Sequence, residues 1–298
     1  MILSDLVSKV EQQLLDAELY FGHGTDNAFD EAAWLVLFAA GIDVSSDHID
    51  WQQVLNGRQR SAIEGLTWKR INTRRPLAYL VNQAWFAGYE LYVDERAIVP
   101  RSHLGELITE RFQPWLGTKP VTKVLDLCTG SGCLAVAIAL AFSEAQVDAV
   151  DLSPAALEVA TINIARYAVD SQIRLLEGDL FNIVPDERYD LIVCNPPYVS
   201  EELLGTLSRE HSFEPRIAFA GGSNGLDVVR RLLAEARRYL TNKGLLFVEA
   251  GSAAENVDQT WPRVPFTWLS SASGESVVFT LTAEDLDRYR NDLSIGSA

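Results

Sequence analysis

Residues 1–76 carry hydrophobic positions at helical spacing. Leucine and valine recur every three or four positions at Leu3, Leu6, Val7, Val10, Leu14 and Leu15, and this spacing predicts an amphipathic helix. The sequence Gly22-His23-Gly24-Thr25-Asp26 ends that helix. Asn27 can cap a second helix that runs to about Gly41, with Asp30 and Glu31 in its first turn. One or two further helices are expected over residues 51–73, and Pro76 is expected to close this helical module.

The pattern changes after residue 80. Residues 84–99 are rich in aromatic residues and valine with turn signals at Gly88 and Asp94-Glu95, so they predict a β-hairpin. A helix is expected over residues 104–115. Apolar runs then alternate between strand and helix from 121 to about 250, which is typical of a parallel sheet covered by helices on both faces. A last strand is predicted over residues 276–281, and the charged residues 282–298 are expected to fray.

These elements predict an α/β protein in three parts. Residues 1–78 form a helical domain, residues 79–120 form the hairpin and a connecting helix, and residues 121–298 form the sheet domain. At 298 residues the chain is long for a single hydrophobic core.

Three strand ends in the sheet domain carry glycine and acidic residues. The first strand is followed by Thr129-Gly130-Ser131-Gly132 and an apolar helix, which is how nucleotide-binding units begin. The second strand ends in Asp151, a carboxylate suited to ribose hydroxyls. The third is followed by Gly178-Asp179-Leu180-Phe181, which can hold an adenine. Taken alone, the glycine turn fits NAD as well as S-adenosylmethionine.

A fourth strand, residues 191–194, is followed directly by Asn195-Pro196-Pro197-Tyr198. Ligands bind at the carboxyl ends of strands in open α/β sheets. Proline lacks an N–H and fixes φ, so this loop is stiff and its carbonyls can accept hydrogen bonds from a ligand. Asn195 adds one acceptor and two donors, and Tyr198 adds an aromatic wall. Such a site can hold a planar –NH2 group by its two hydrogens. A plain proline turn is the alternative interpretation.

The composition predicts a globular protein of a reducing compartment. There is no apolar run of about 18 residues, the length of a membrane span, and the start of the chain lacks the basic region of a secretory signal. We therefore expect a cytoplasmic protein. Three cysteines are expected to be buried free thiols, namely Cys128, Cys133 and Cys194. No metal site is predicted, because the histidines stand singly at His23, His48, His103 and His211.

Charge is unevenly distributed along the chain. The formal net charge is −16. Residues 1–50 hold ten acidic residues against one base, Lys9, whereas residues 56–75 hold six basic residues against Glu64. An acidic surface repels phosphate backbones and attracts basic partners, although such charge also serves simple solubility. Residues 58–75 are the candidate track for nucleic acid.

A long connection follows the Asn-Pro-Pro-Tyr motif. Residues 199–225 contain Glu214-Pro215-Arg216 and Gly221-Gly222-Ser223-Asn224-Gly225. Connections of this length in a compact domain tend to be functional or mobile. This one is placed to cover a substrate, with a plain surface excursion as the alternative.

The set of motifs resembles the protein glutamine N5-methyltransferases. The resemblance covers nearly the whole chain and rests on the helical module, a hairpin ending in Val99-Pro100-Arg101, Asp126-x-x-Thr129-Gly130-Ser131-Gly132, Asp151, Asn195-Pro196-Pro197-Tyr198 and Glu214-Pro215. It implies a Rossmann-like class I methyltransferase sheet with an antiparallel final strand pair, and S-adenosylmethionine as cofactor. Residues 18–27, residues 100–106 and Cys128 are similar to the branch that methylates a large-subunit ribosomal protein.

The resemblance also implies a role for each site residue. Residues Cys128, Thr129, Gly130, Ser131 and Gly132, which follow Asp126, would line the methionine part of the cofactor. Asp151 would bind the ribose, and Asp179 and Leu180 would flank the adenine. Residues Asn195, Pro196, Pro197 and Tyr198 would hold the substrate glutamine, and Asn195 also lies beside the cofactor. The implied partner is a basic protein of the large ribosomal subunit.

Other functions stay open from the sequence alone. The release-factor branch of the family has the same motifs. Adenine-N6 methyltransferases use the same four-residue motif, but they need a basic track and a base-flipping pocket, so nucleic acid is not expected as the direct substrate. A non-enzymatic binding module that keeps the cofactor fold is a further alternative. Nothing resembles the acid of a hydride-transfer enzyme.

Overall fold

The computed structural model describes residues 1–44, 46, 48–272 and 274–295. Its N-terminal part is helical, as predicted, with α1 (Leu3–Asp16), α2 (Ala28–Ala40), α3 (Gly57–Thr73) and α4 (Leu77–Val81). The Asn27 side chain caps α2 by accepting from the backbone N–H of Asp30, and Gly41 ends it in the left-handed conformation. The expectation that Pro76 ends the helical module was wrong, since α4 follows it directly. Proline suits a helix start because its fixed φ is compatible with one.

The hairpin is present but short. Strands β1 (Ala84–Phe86) and β2 (Tyr89–Leu91) pair antiparallel. The following helix, α5 (Leu104–Thr109), is also shorter than predicted. Arg111 and Phe112 take left-handed backbone conformations, and Pro114 disfavours helix at the residue before it.

A seven-stranded sheet forms the rest of the fold. Its order is β5-β4-β3-β6-β7-β9-β8. Five strands run parallel: β3 (Lys123–Leu127), β4 (Gln146–Asp151), β5 (Ile173–Glu177), β6 (Tyr189–Cys194) and β7 (Leu240–Glu249). The last two pair antiparallel, as predicted: β8 (Thr267–Leu269) and β9 (Val278–Thr282). The strand order reverses between β3 and β6, and such a switch point is where open α/β sheets bind ligands.

Helices cover both faces of this sheet. They are α6 (Cys133–Ala141), α7 (Pro154–Arg166), α9 (Asp227–Tyr239) and α10 (Ala254–Thr260), whereas the short α8 (Glu201–Leu204) lies in the connection after β6. Alternate residues of the central strands enter two different cores, Leu125 and Ile192 one of them and Val124 and Val193 the other. Burial on both faces explains why these strands read as continuous apolar runs.

A third core lies among the N-terminal helices. Leu3, Leu35 and Ile63 are buried there. Val99 belongs to this core, whereas Phe86 of the hairpin packs in a core of the sheet. The hairpin segment therefore joins the helices to the sheet. Within the described residues, we find no helix with the length and apolar character that crossing a membrane requires.

The C-terminal segment does not fray as far as the structure describes it. It forms α11 (Ala283–Arg288) and α12 (Arg290–Ile295). Thr282 and Asp285 form a capping box at the start of α11, and Leu286 and Leu293 are buried in the core of the sheet. Burial of these two leucines holds the helices on the sheet, although most residues around them are charged. Residues 296–298 lie outside the described residues.

Candidate active site

A cavity of about 500 Å³ opens at the carboxyl ends of β3, β4 and β6. It brings together nine of the residues that the sequence singles out: Cys128, Gly130, Asp151, Asp179, Leu180, Asn195, Pro196, Pro197 and Tyr198. The remaining four lie behind its wall: Asp126, Thr129, Ser131 and Gly132. The cavity thus joins the glycine turn and the Asn-Pro-Pro-Tyr motif in a single space.

The four residues behind the wall shape the glycine turn. Asp126 is fully buried and accepts a hydrogen bond of 2.6 Å from Thr129 Oγ1. Its burial raises the pKa of Asp126 to about 7. Gly132 has φ of +77°, and a Cβ at this position would lie 3.0 Å from the Cβ of Ala160. These residues fix the backbone that faces the cavity.

One half of the cavity has the chemistry of a nucleoside site. Asp151 Oδ2 accepts from Gly130 N at 2.8 Å, and Oδ1 accepts from Ser153 N at 2.8 Å. Each carboxylate oxygen keeps a second lone pair for a ribose hydroxyl. Burial raises the pKa of Asp151. Leu180 supplies an apolar surface, and Asp179 forms an ion pair of 2.8 Å with Arg231 of α9.

These groups fit S-adenosylmethionine. The cofactor needs acceptors for two ribose hydroxyls and an apolar slot for adenine, and Asp151 and Leu180 offer them on one wall. The cavity volume lies within the roughly 300–1,000 Å³ usual for small-molecule sites. Helix α9 contributes Val228 and Arg231 to the cavity lining, and no motif in the sequence indicates either residue.

The other half of the cavity is built around Asn195. Its side-chain Nδ2 donates to the carbonyl oxygen of Arg101 at 3.4 Å. One Nδ2 hydrogen is engaged in this contact, and Oδ1 is left as an acceptor for a ligand. The Tyr198 hydroxyl donates to Glu249 Oε1 at 3.2 Å. Burial raises the pKa of Tyr198, so this hydroxyl stays a donor at neutral pH.

The long connection 199–225 forms the outer wall of this half. It contains α8 and two short 3₁₀ turns, Arg209–Phe213 and Arg216–Ala218. Leu203, Ile217 and Phe219 line the cavity from this segment. Its position agrees with a functional rather than an incidental connection, and the covering of a substrate stays a prediction.

Glu214 anchors this wall to the hairpin. Its carboxylate accepts two hydrogen bonds from Arg101, at 2.7 and 2.8 Å, and a third from Val99 N at 3.0 Å. Burial alone would raise the pKa of Glu214, but the Arg101 guanidinium and His23 outweigh it and lower the pKa to about 2. The side chain of Glu214 is fully buried and ionised.

Comparisons with known proteins decide the family. The family model for the methyltransferase small domain matches residues 107–208. A ribosomal protein uL3 glutamine methyltransferase from Bordetella pertussis is 43% identical over 290 residues, covering 96% of each chain. One from Francisella tularensis is 40% identical over 276 residues, covering 92% of this chain and 87% of the relative.

The chain belongs to the family of ribosomal protein uL3 glutamine methyltransferases. This confirms the predicted branch, the enzyme class and S-adenosylmethionine as the cofactor, so the NAD interpretation of the glycine turn was wrong. The hMettl16 catalytic domain, solved with MAT2A 3′UTR hairpin 6, has a TM-score of 0.50 at 14% identity over 80% of this chain and 86% of that one. Its likeness supports the class I methyltransferase fold alone.

Two histidines of this family member meet in space, which corrects the premise that the histidines stand singly. The rings of His23 and His211 lie 4.7 Å apart, and His23 Nε2 lies 3.1 Å from Glu214 Oε2. The three residues offer donor atoms within 4.8 Å of one another. However, Glu214 already holds the Arg101 guanidinium, which supplies the cation of this cluster and disfavours a second one.

Part of the basic run is also buried. Arg70 is fully buried and pairs with Glu31 at 2.7 Å. Arg74 lies 2.7 Å from the buried Glu210 of the long connection, and Arg75 pairs with Glu95. These three arginines hold elements together, and a nucleic-acid track would be left with the exposed Arg58, Arg60 and Lys69.

The prediction of three buried free thiols is confirmed in part. Cys128, Cys133 and Cys194 are all free thiols, but only Cys194 is fully buried. Burial raises the pKa of the Cys133 thiol to about 12, so it is unreactive at neutral pH.

Proposed function

We propose that this enzyme transfers a methyl group from S-adenosylmethionine to the side-chain amide nitrogen, N5, of a glutamine in ribosomal protein uL3. The observation that carries the proposal is that one cavity contains both the nucleoside half and the side-chain amide of Asn195, which a hydrogen bond holds in place. The relatives are named for a glutamine of uL3. The acceptors around Asn195 could hold the side-chain amide of such a glutamine.

The reaction is difficult because an amide nitrogen shares its lone pair with the carbonyl. The cofactor, when bound, supplies an already activated methyl group. The protein has to position the amide and stabilise the charge that develops on it. Asn195 Oδ1 and the Pro196 carbonyl would accept the two amide hydrogens and turn the nitrogen lone pair towards the cofactor half of the cavity.

The same two oxygens favour the transition state over the ground state. As conjugation is lost, positive charge grows on nitrogen, and two fixed acceptor dipoles stabilise that charge without reorganising. The rigid proline loop would hold the nitrogen at a near-attack distance of about 3 Å. Tyr198 would pack against the plane of the amide. No base is needed before transfer, because the methylated nitrogen loses its proton readily.

The acidic N-terminal region supports a basic protein as the partner. Seven acidic side chains among the described residues of 1–50 are exposed: Asp5, Asp16, Glu18, Asp26, Asp30, Asp43 and Asp50. A field of this sign speeds the association of a basic protein and disfavours nucleic acid as the direct substrate. A ribosomal-protein substrate would place the enzyme in the cytoplasm.

Methyl transfer from radiolabelled S-adenosylmethionine tests the proposal. Purified uL3, a release factor and unmodified DNA are offered in parallel, with Asn195→Ala enzyme as the blank. We expect label on a glutamine of uL3 alone. Label on the release factor would keep the mechanism and overturn the substrate. Label on DNA would show that the charge argument is wrong.

A further inference from the structure

A buried carboxylate lies next to the proposed acceptor site and is not part of it. Glu249 is the last residue of β7, the strand beside β6, so it stands next to the Asn-Pro-Pro-Tyr motif at the carboxyl edge of the sheet. It is 3% exposed and does not line the cavity. Burying a carboxylate is costly unless its oxygens are hydrogen-bonded, and such a group invites a functional explanation.

The partners of Glu249 are two hydroxyls and one backbone amide rather than a lysine or arginine. Oε1 accepts from the Tyr198 hydroxyl at 3.2 Å, and Oε2 accepts from Ser102 Oγ at 2.6 Å and from His103 N at 3.0 Å. One carboxylate thus connects Tyr198 to the segment 101–103. Hydrogen bonds to a carboxylate are stronger than neutral ones. The bond from Ser102 is short, and the bond from Tyr198 is the longer of the two.

The same segment also holds the other end of the motif. The Arg101 carbonyl accepts from Asn195 Nδ2. The two side chains that would flank the substrate amide, Asn195 and Tyr198, are therefore both fixed to three consecutive residues. A shift of this segment would move both of them together.

The backbone at Gly251 packs against the ring of Tyr198. Gly251 has φ of +46°, and a Cβ at this position would lie 2.2 Å from Cε2 of Tyr198. The ring lies directly against the backbone there, with its hydroxyl on Glu249. These two contacts together restrict the ring to one position, as long as the hydrogen bond to the hydroxyl is present.

We propose that Glu249 is a positioning residue for methyl transfer, which holds the Tyr198 ring against the acceptor amide and couples it to the segment that orients Asn195. This rests on the proposed function of the motif. Glu249 does not line the cavity and acts through Tyr198. By accepting from the phenol it also makes the ring more electron-rich, which favours a cationic nitrogen over its face.

The test is a double-mutant cycle between Tyr198→Phe and Glu249→Gln, read as kcat for methylation of uL3. Tyr198→Phe keeps the ring and removes only the hydroxyl. We expect each single change to lower kcat about tenfold, the worth of one charge-assisted hydrogen bond. The double variant should be within about twofold of the worse single variant, because Tyr198→Phe removes the donor and Glu249→Gln removes the charged acceptor of the same hydrogen bond. Cofactor affinity by calorimetry should be unchanged.

Tyr189→Phe is the matched control. Tyr189 is a buried tyrosine at the start of β6, whereas Tyr198 follows the end of that strand, and the Tyr189 hydroxyl donates to the carboxylate of Asp148 at 2.6 Å. Tyr189→Phe removes a tyrosine–carboxylate hydrogen bond that lies outside the cavity, and it should leave kcat unchanged. Equal losses in Tyr189→Phe and Tyr198→Phe would show a structural effect and overturn the proposal.

Two further outcomes would overturn it. Wild-type kcat in Tyr198→Phe would show that the hydroxyl does not position the ring. Multiplicative losses in the double variant would show that Glu249 and Tyr198 act independently. The failure of the proposed function is a separate result, since the wild-type enzyme would then leave uL3 unlabelled.

Discussion

The two halves of the cavity are built in different ways. In the cofactor half, the contacts of the glycine turn join residues that are close in the chain. Thr129 bonds to Asp126 three positions away, and Gly130 bonds to Asp151 over 21 positions. In the acceptor half, the contacts span 94 positions from Asn195 to Arg101, 113 from Arg101 to Glu214 and 147 from Ser102 to Glu249.

This difference has a physical consequence. The glycine turn and Asp151 of the cofactor half are fixed by strand ends and tight turns, and they meet where β3 and β4 pair. The ion pair of Asp179 with Arg231 of α9 is the longer-range contact of this half. The acceptor half exists only when the hairpin, the long connection and the end of β7 meet. We therefore expect changes in the two halves to separate cofactor binding from acceptor positioning, and the following predictions test that separation.

The largest effect is expected for Asn195→Ala. This change removes an acceptor of the substrate amide and the bond to Arg101, so turnover should fall by about 1,000-fold, or about 4 kcal/mol. Cofactor affinity should stay within a few-fold of wild type, because Asp151 and Leu180 are untouched. Calorimetry and single-turnover methyl transfer measure the two quantities. A loss of turnover below tenfold would remove Asn195 from its proposed role.

The next largest effect is expected for Glu214→Ala. The change leaves the Arg101 guanidinium without its counter-ion. Because the Arg101 side chain is 30% exposed, the loss of unfolding free energy should lie somewhat below that of a fully buried pair, at about 2–4 kcal/mol. Asp287→Ala, which breaks exposed pairs with Arg237 and Arg290, is the control and should cost under about 1 kcal/mol. Denaturant unfolding gives both numbers, and equal losses would contradict the anchoring role.

The Glu214 pair also carries a pH signature. Its folded-state pKa of about 2 lies below the ordinary value of 4.5. The stabilisation is therefore fully present above pH 4.5 and is lost as pH falls from there towards 2. Glu214→Gln should be less stable than wild type at pH 7, and the difference should shrink progressively below pH 4.5. A difference that does not change with pH would show that Glu214 is not held as an anion.

The contrast between short-range and long-range contacts also explains which features could be predicted from the sequence. The strands, the glycine turn, Asp151 and Asn195 follow from local patterns, because apolar runs and turn residues report on their own neighbourhood. Glu249 and Arg231 were missed, since each is an ordinary charged residue whose partner lies far along the chain. Arg70 was counted in the candidate nucleic-acid track for the same reason, because nothing near it in the sequence indicates its buried ion pair with Glu31. The C-terminal helices were missed because two buried leucines are a weak signal among many charges.

A smaller effect is expected for Asp151→Ala. It removes the acceptor for the ribose hydroxyls and the bonds to Gly130 and Ser153, so the Kd for S-adenosylmethionine should rise about 10- to 100-fold. The kcat at saturating cofactor should change much less, because the acceptor half is intact. Asp179→Ala, which breaks the ion pair with Arg231, is a useful partner variant at the adenine end. Unchanged cofactor binding in Asp151→Ala would remove that residue from the ribose site.

The smallest effect is expected on the acidic surface. Neutralising Asp16, Glu18 and Asp26 together should raise the KM for uL3 a few-fold at low salt, because exposed charges contribute under about 1 kcal/mol each. The effect should fade at high salt, where exposed charges are screened, and cofactor affinity should not move. Neutralising three exposed acids on the sheet domain, Glu235, Glu255 and Glu284, changes the net charge equally. If both triple variants raise KM alike, attraction depends on total charge; if only the first does, the N-terminal helices guide the substrate to the acceptor half.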